Sequence, residues 1–536
     1  LYCPEYGIYK SNDSGNSWTN FNDGLTNIDE VYSLTVDPFH SNRVFAGTRT
    51  GLKISEDYGE TWENVNLNLD IIYSVGFSSL IPNVIFVSGR HSWNTNMVMK
   101  STDNGNTWTE IPFGNETKFH NIEFAKELPI KFYASSNNGA WQYEESNEEY
   151  IISENVNWNG EIHLNTNVRL TNNSTLTVKS TSSLLLANSV QLIIEEGAEI
   201  IIEEDVELIF EEDSKLKCFG SFTAQGTASN PITITGDYWD GIYVSDSQVS
   251  LNYVNISGSE SASMNITNST GHISYCNIYD NNNGLSIKDS NFLLRIMDNN
   301  IYNNSVSGIN LTNSSVRITD NHIESNGRFG ILMLSGSNAK LNNNTITNNG
   351  SIGESLSSGI YIQNSNPELV DRIYTDSLPE FPINNEIFNN INTQVRVSFM
   401  TAPNLGVYEL IENPHGSYVL GGFNHIYGGD YSLLRYNYER IPDGFPTPQP
   451  LLFAEVNYWN EDTVIETIPQ GVVSGDRIST SPTAPTVIND VGGVETMVLQ
   501  EGLIKEQEEE YIEARVLFDE YLNDEPVYDG IMTALG

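Results

Sequence analysis

Between residues 176 and 223 the chain repeats its apolar positions every eight residues. The successive segments read LTVKSTSS, LLLANSVQ, LIIEEGAE, IIIEEDVE, LIFEEDSK and LKCFGSFT, starting at 176, 184, 192, 200, 208 and 216. Their first and third positions are mostly large and apolar: Leu176/Val178, Leu184/Leu186, Leu192/Ile194, Ile200/Ile202, Leu208/Phe210 and Leu216/Cys218. Alternation over three residues predicts a very short strand with one face buried. The remaining five positions of each segment carry polar groups that suit a bend. A strand and a bend at this fixed spacing match neither a helix nor a series of hairpins. Three such steps make a triangular coil of 24 residues, and stacked coils bury one continuous apolar column. The pattern therefore predicts a right-handed parallel β-helix.

Further on the coils keep that pitch. Ile278, Ile301, Ile323 and Ile346 recur at steps of 23, 22 and 23, and Gly284, Gly308, Gly330 and Gly359 each precede an apolar residue. About eleven coils at roughly 4.8 Å each predict a rod of about 50 Å. Asn281, Asn304, Asn326 and Asn349 fall one coil apart, as do Asn299, Asn321 and Asn344. These are two asparagine ladders, in which stacked amides satisfy one another at a bend. The step of 41 from Ile346 to Ile387 breaks the pitch, so a loop is expected to project around 366–382. Within 226–259, the GT-x-x-NPI strand followed by a W-x-GI strand resembles the middle of many secreted bacterial β-helix proteins of the pectate-lyase-like class. AEVNYWN at 454–460 resembles the strand that ends such helices, with Trp459 expected to close the core.

Residues 1–148 follow another pattern. SNDSGNSW (11–18), SEDYGETW (55–62) and STDNGNTW (101–108) share the form S-x-D-x-G-x-[ST]-W, with runs such as VYSLTVDP, VFAGT and GLKI before them. These segments resemble the Asp boxes of BNR repeats in sialidase-like and sortilin-like β-propellers. The resemblance implies several strands per blade of ~45 residues. Asp13, Asp57 and Asp103 are placed to accept backbone N–H bonds in a hairpin turn. Gly15, Gly59 and Gly105 are expected at positive φ, and Trp18, Trp62 and Trp108 are expected to pack between blades. A sialidase site needs an arginine cluster, and this region offers only Arg43, Arg49 and Arg90, so no catalysis is carried over. A degenerate blade is expected at 119–143. The first blade lacks its opening strands, which suggests a piece of a longer chain.

The domains read as incomplete propeller blades (1–148), the β-helix (150–465), a Pro/Ser/Thr/Gly linker (466–493) and a short α-helical tail (494–536). In the tail Gly502, Tyr511, Ala514, Phe518 and Pro526 resemble one tetratricopeptide repeat. One repeat cannot bury its own face, which implies docking or self-association through the tail. The fold class is thus mainly β.

Composition narrows the function. With 70 acidic against 25 basic residues the formal net charge is −45, which argues against nucleic acid or an anionic membrane as partner. No apolar run is long enough to span a membrane. The three cysteines, Cys3, Cys218 and Cys276, form no CxxC motif, and Cys218 falls at an inward position.

Candidate chemistry gathers on one face. Arg295, Arg317 and Lys340 recur at steps of 22 and 23, each beside an inward Ile or Leu, so they point outward as a cationic stripe. Such a stripe suits an anionic or hydroxyl-rich polysaccharide; the alternative is pairing of each cation with a nearby carboxylate, worth about 0–1 kcal/mol per pair. Asp298 and Asp320, three residues further on, are the best carboxylate pair available for glycoside hydrolysis. The pairs Glu195–Glu196, Glu203–Glu204 and Glu211–Glu212 resemble a metal cluster, but a spacing of eight puts them on three faces. No cofactor and no metal site are assigned, although the acidity is compatible with a divalent cation such as calcium. The eight histidines do not cluster in the way zinc requires. Leu185, Ile193, Ile201 and Ile209 point away from the core and predict a partner surface or a covering segment.

The chain resembles large multidomain bacterial surface proteins. That resemblance implies a secreted or cell-surface location and a non-catalytic role in glycan binding, adhesion or extracellular structure, with polysaccharide or other surface proteins as partners. The alternative is a polysaccharide lyase or glycoside hydrolase acting along the Arg295/Arg317/Lys340 face and the 366–382 loop.

Overall fold

The computed structural model describes residues 7–397, apart from 26–29, 92–94, 113–118, 172, 352–356, 370, 375–384 and 392. Beyond 397 it describes the backbone of strands as far as Arg477–Ile478. The proposed linker beyond that point and the helical tail lie outside the described residues.

The eight-residue period folds as short strands separated by corners. Thr175–Val178, Ser183–Leu186 and Gln191–Ile194 make one coil; Glu199–Ile202, Glu207–Phe210 and Lys215–Cys218 make the next. Like strands pair in parallel one coil apart: Leu176 with Ile200, Leu184 with Leu208, Leu192 with Leu216. The result is three parallel sheets. Sheet 1 has 14 strands from Glu127–Leu128 to Arg477–Ile478, and sheet 2 has 13 from Glu149–Ile152 to Ile465–Ile468. Sheet 3 runs unbroken for nine strands, Val156–Trp158 to Lys340–Asn342.

The first and third residues of each step fill the interior, and their side chains are fully buried from Leu176 to Cys218. Each such Leu or Ile contributes about 1.5–3 kcal/mol. Ile278, Ile301, Ile323, Ile346 and Ile387 stack in one column, so the step of 41 is a single coil carrying an insertion. Part of that insertion is not a bare loop. Strand Asp371–Tyr374 pairs antiparallel with Gly416–Gly421, which pairs with Glu409–Asn413.

In the later coils a corner turns by one residue at positive φ followed by a buried polar residue. Asp280, Asp289 and Asp298 (φ 55, 52 and 55°) precede Asn281, Ser290 and Asn299 around one coil. The buried residues form three ladders. Asn281, Asn304, Asn326, Asn349 and Asn390 hand amide hydrogen bonds down the rod at 2.9–3.1 Å. The Asn390 amide donates to Gln394 Oε1 at 2.8 Å, which ends the column. Asn299, Asn321, Asn344 and Asn385 do the same at 2.9–3.0 Å. At the third corner Ser269, Ser290, Ser314, Ser337 and Ser365 accept backbone N–H bonds from the preceding coil at 3.1–3.3 Å. Beside the first ladder, Gly284, Gly308 and Gly330 leave no room for a side chain: a Cβ on Gly284 would lie 2.3 Å from the Gly308 carbonyl.

The N-terminal region forms antiparallel blades. Two have four strands, 31–64 and 71–111; a third, 119–144, has three; 9–20 contributes a two-stranded hairpin. Strand Glu127–Leu128 leaves its blade and pairs in parallel with Glu161–Leu164, so it serves as the first rung of sheet 1. The apolar interior is continuous across this junction, from Leu80, Phe86 and Phe132 to Trp158 and Leu176.

The outward apolar residues correct the expected partner surface. Leu185 and Ile209 stack on sheet 1, Ile193 lies on sheet 2 between Arg169 and Lys217, and Ile201 lies on sheet 3 between Thr177 and Thr223. The period that spreads the glutamate pairs around the rod spreads these side chains too. They form no single patch. Among the described residues no helix is long and apolar enough to cross a membrane.

Candidate functional site

Parallel pairing converts the recurrence of Arg295, Arg317 and Lys340 into a column. Arg295 pairs with Arg317 and Arg317 with Lys340 on sheet 3, one coil apart. Their neighbours Ile296, Ile318 and Leu341 point inward and are buried, while the cations are half-exposed on the outer face. Upstream, His272 occupies the same column next to Arg295. Its Nε2 lies 3.2 Å from both Ser250 Oγ and Asn252 Nδ2. Burial, followed by the charge of Arg295, holds the His272 pKa below its usual value. The ring is therefore neutral at pH 7, and the positive charge begins at Arg295.

The corner after sheet 3 carries a second column. Tyr253, Tyr275, Asp298, Asp320 and Asn343 occupy equivalent positions, all at positive φ between 51 and 59°. A tyrosine is unfavourable in that conformation. Here the rings of Tyr253 and Tyr275 stack, with centroids 4.9 Å apart and planes at 10°. Tyr275 is exposed at 47%. Its hydroxyl bonds the Asp298 carboxylate, and the Asn343 amide donates to Asp320 Oδ1.

At Asp298 the electrostatics run against pairing with a neighbouring cation. The Asp298 pKa is raised, first by burial and then by the negative charge of Asp320. A guanidinium bound to Asp298 would lower it. Among the described residues Arg295 makes no ion pair, whereas Lys340 Nζ lies 3.8 Å from Glu368 Oε2. The column thus presents cations on the sheet, carboxylates and an amide along the corner, and a stacked aromatic pair at one end.

Tyr253 and Tyr275 were missed by sequence reasoning. Their signal is the spacing 22, 23, 22, 23 from Tyr253 through Tyr275, Asp298 and Asp320 to Asn343, hidden because the residue type changes along the series.

The glutamate pairs sit at three different corners. Arg169 pairs with Glu195 and with Glu149; Lys179 Nζ lies 2.7 Å from Glu203 Oε1; Glu211 Oε2 accepts the Asn188 N–H at 3.1 Å. Among the described residues no group of three or more His, Cys, Asp or Glu side chains converges in a way that suits a metal ion.

The three S-x-D-x-G-x-[ST]-W segments are hairpins between outer blade strands. Asp57 Oδ1 accepts the Thr61 N–H at 2.9 Å and Oδ2 accepts its hydroxyl at 2.6 Å; Ser55 Oγ accepts the Gly59 N–H at 2.8 Å. Asp13 and Asp103 repeat this set with Ser17 and Thr107. Hydrogen bonds from the Ser17 and Thr61 side chains, the largest cause, bring Asp13 and Asp57 down to about 2, and Thr107 lowers Asp103 likewise. Gly15, Gly59 and Gly105 have φ of 86–88°. Trp62 is buried and donates to the Phe21 carbonyl of the preceding hairpin at 3.1 Å. Trp108 packs on the cluster shared by two blades, whereas Trp18 remains 47% exposed.

Two regions of the chain match known families. Residues 6–196 match the family described as Sortilin, neurotensin receptor 3, and residues 224–371 match the right handed beta helix region. The first match runs past the last blade strand, although parallel pairing is already present at Glu127 with His163 and at Glu149 with Asn167, so the coil starts well before residue 196. No curated protein sequence matches the chain. Among solved structures, an ancestral GH74 enzyme is 24% identical over 26% of this chain and 20% of its own, with a TM-score of 0.23. The GH74 enzyme of Niastella koreensis is 20% identical over 28% of this chain and 27% of its own, at 0.22. A mutant of the periplasmic alginate epimerase AlgG is 13% identical over 64% of this chain and 86% of its own, at 0.33. The chain therefore spans about a quarter or less of the GH74 enzymes it matches, and likeness at these scores says nothing of activity.

Proposed function

We propose that this chain is a carbohydrate-binding protein of the extracellular type, with an acidic polysaccharide laid along sheet 3 and the corner that follows it. The observation that carries this reading is the in-register column Arg295–Arg317–Lys340 beside the Tyr253–Tyr275 stack, whose outer ring, Tyr275, is exposed. In a chain of net charge −45, three stacked cations are a local exception. They meet uronate carboxylates at a repeat of about 4.8 Å, one coil. Asp298, Asp320 and Asn343 accept or donate to ring hydroxyls, and Tyr275 offers an aromatic face. The role is binding, and the blades act as a rigid extension of the same rod.

Affinity electrophoresis against polygalacturonate and alginate, with dextran as the neutral control, tests this. The expected result is retardation by the two uronate polymers, weakened by salt because half-exposed charges are screened, and reduced at least several-fold in Arg295→Ala. Retardation unchanged in Arg295→Ala and Arg317→Ala would remove the reading.

A second reading is favoured by one observation, the raised pKa of Asp298 next to Asp320. Two neighbouring carboxyls, one with its pKa raised by burial and by the other's charge, are the kind of pair that glycoside hydrolysis uses. New reducing ends released from the bound polymer, and lost in Asp298→Asn, would establish hydrolysis in place of binding alone.

A further inference from the structure

A recess lies at a different corner from the Tyr253–Asn343 column, the one leading from sheet 2 into sheet 3. Its origin is a change in corner length. Four residues, 195–198, separate Gln191–Ile194 from Glu199–Ile202. The next three corners have two residues each: Phe219 and Gly220, Asp246 and Ser247, Asn268 and Ser269. Five residues, 289–293, then separate Asn283–Lys288 from Leu294–Met297. Three tight corners between longer ones leave a groove of about 560 Å³. The groove is open to solvent, a shape that suits a ligand laid across the surface.

The floor is fixed. Phe219 donates its N–H to the Ile194 carbonyl at 2.8 Å, Ser221 to Ala198 at 2.9 Å and Thr270 to Ser247 at 3.0 Å. The Ser247 hydroxyl donates to the Gly220 carbonyl. A side chain at Gly220 would lie 2.0 Å from the Ala198 carbonyl, so the tight corner admits only glycine there. Phe219 lines the groove with 40% of its surface exposed. Around it stand acceptors and amides: Glu196, Glu199, Asp246, Gln248 and Asn268. The Asn268 amide already donates to Asp246 Oδ1 at 2.6 Å, which orients both side chains.

We propose that this groove binds a short, uncharged oligosaccharide, with one sugar ring against Phe219 and its hydroxyls donating to Glu196, Glu199 and Asp246. Polar acceptors around one exposed aromatic ring suit a ligand with an apolar face and hydroxyl edges. Three carboxylates without a cation in the lining exclude a uronate here. The two sites therefore select differently charged ligands, one anionic and one neutral, and this one stands independently of the cationic column.

Isothermal titration of the whole chain with short neutral oligosaccharides built on glucose, mannose, galactose and xylose tests the assignment. Saturable binding of at least one is expected, weakened about tenfold in Phe219→Ala and several-fold in Gln248→Ala. Arg317→Ala should leave it unchanged, and Phe219→Ala should leave retardation by polygalacturonate unchanged. Failure of every sugar to bind, or binding indifferent to Phe219→Ala, overturns the proposal. If Phe219→Ala melts early, Gln248→Ala decides alone: unchanged affinity there overturns it equally.

Discussion

Trp158 donates its indole N–H to the carbonyl of Leu80 at 3.0 Å, joining the first rung of sheet 3 to a blade loop 78 residues earlier. The indole is fully buried within the interior shared by blades and coils. Lys100 and Glu145 pair across the same junction, and Glu145 also accepts from the Tyr150 hydroxyl. A parallel β-helix must cover the open end of its apolar column, and here the blade does so.

Trp158→Ala should therefore cost about 3–5 kcal/mol, the range for removing a large buried aromatic. Blades and upstream coils should unfold in one transition, followed by far-ultraviolet dichroism for the coils and Trp62 fluorescence for the blades. Two separated transitions in the unmodified chain would show that the shared core does not couple them.

The asparagine ladder predicts a cost out of proportion to the size of the change. Asn326 Oδ1 accepts from the Asn304 N–H and side-chain amide at 3.1 and 2.9 Å, and its own amide donates to Asn349 Oδ1 and the Ile301 carbonyl at 2.9 and 3.1 Å. Asn326→Ala leaves the buried Asn304 N–H without that acceptor, and unsatisfied buried groups cost about 1–3 kcal/mol each. A loss of about 3 kcal/mol is expected by urea denaturation. Asn300→Ala, an exposed asparagine with one surface amide bond, should stay within about 0.5 kcal/mol.

What was legible in the sequence follows from how strictly each feature repeats. The inward pairs from Leu176 to Cys218 repeat in type and spacing, and the coil was visible from them. The asparagine ladders were visible because one residue type recurs. The serine ladder was not, since its steps vary from 21 to 28 and serine is common elsewhere. The Tyr253–Asn343 column keeps its spacing but changes chemistry, so only Asp298 and Asp320 stood out. The contact between Leu80 and Trp158 has no periodic signature at all. Neither has the pairing of Asp371–Tyr374 with Gly416–Gly421, which joins two insertions of different coils.

The blade hairpins should respond to acid in a defined direction. Asp57 is held at about 2, below its ordinary value of 3.8, chiefly by the Thr61 hydroxyl. A lowered carboxylate contributes stability that is present above its unfolded pKa and is lost as pH falls through the folded one. Exchange of the Thr61 and Gly59 amides should therefore stay slow at pH 4 and accelerate as the pH approaches 2. Asp57→Ala should make the Thr61 amide exchange rapidly at every pH.

The Asp298–Asp320 pair should respond in the opposite direction. The folded pKa of Asp298 lies above 3.8 through burial and the neighbouring charge. A group raised in the folded state favours folding when protonated, below its unfolded pKa, and that contribution disappears as pH rises through the folded pKa. At pH 7 the ionised Asp298 is therefore a net cost. Asparagine tolerates the positive φ of 55° found there, is what the same corner carries at Asn343, and still accepts from the Tyr275 hydroxyl. Asp298→Asn should stabilise the chain at pH 7 by up to about 1 kcal/mol, the scale of exposed charge pairs, and the gain should fade towards pH 3. Asp320→Asn should lower the Asp298 pKa, read by carbon-13 chemical shift of its carboxyl during titration. An Asp298 titration indifferent to Asp320→Asn would mean that the two carboxylates, though stacked one coil apart, do not interact.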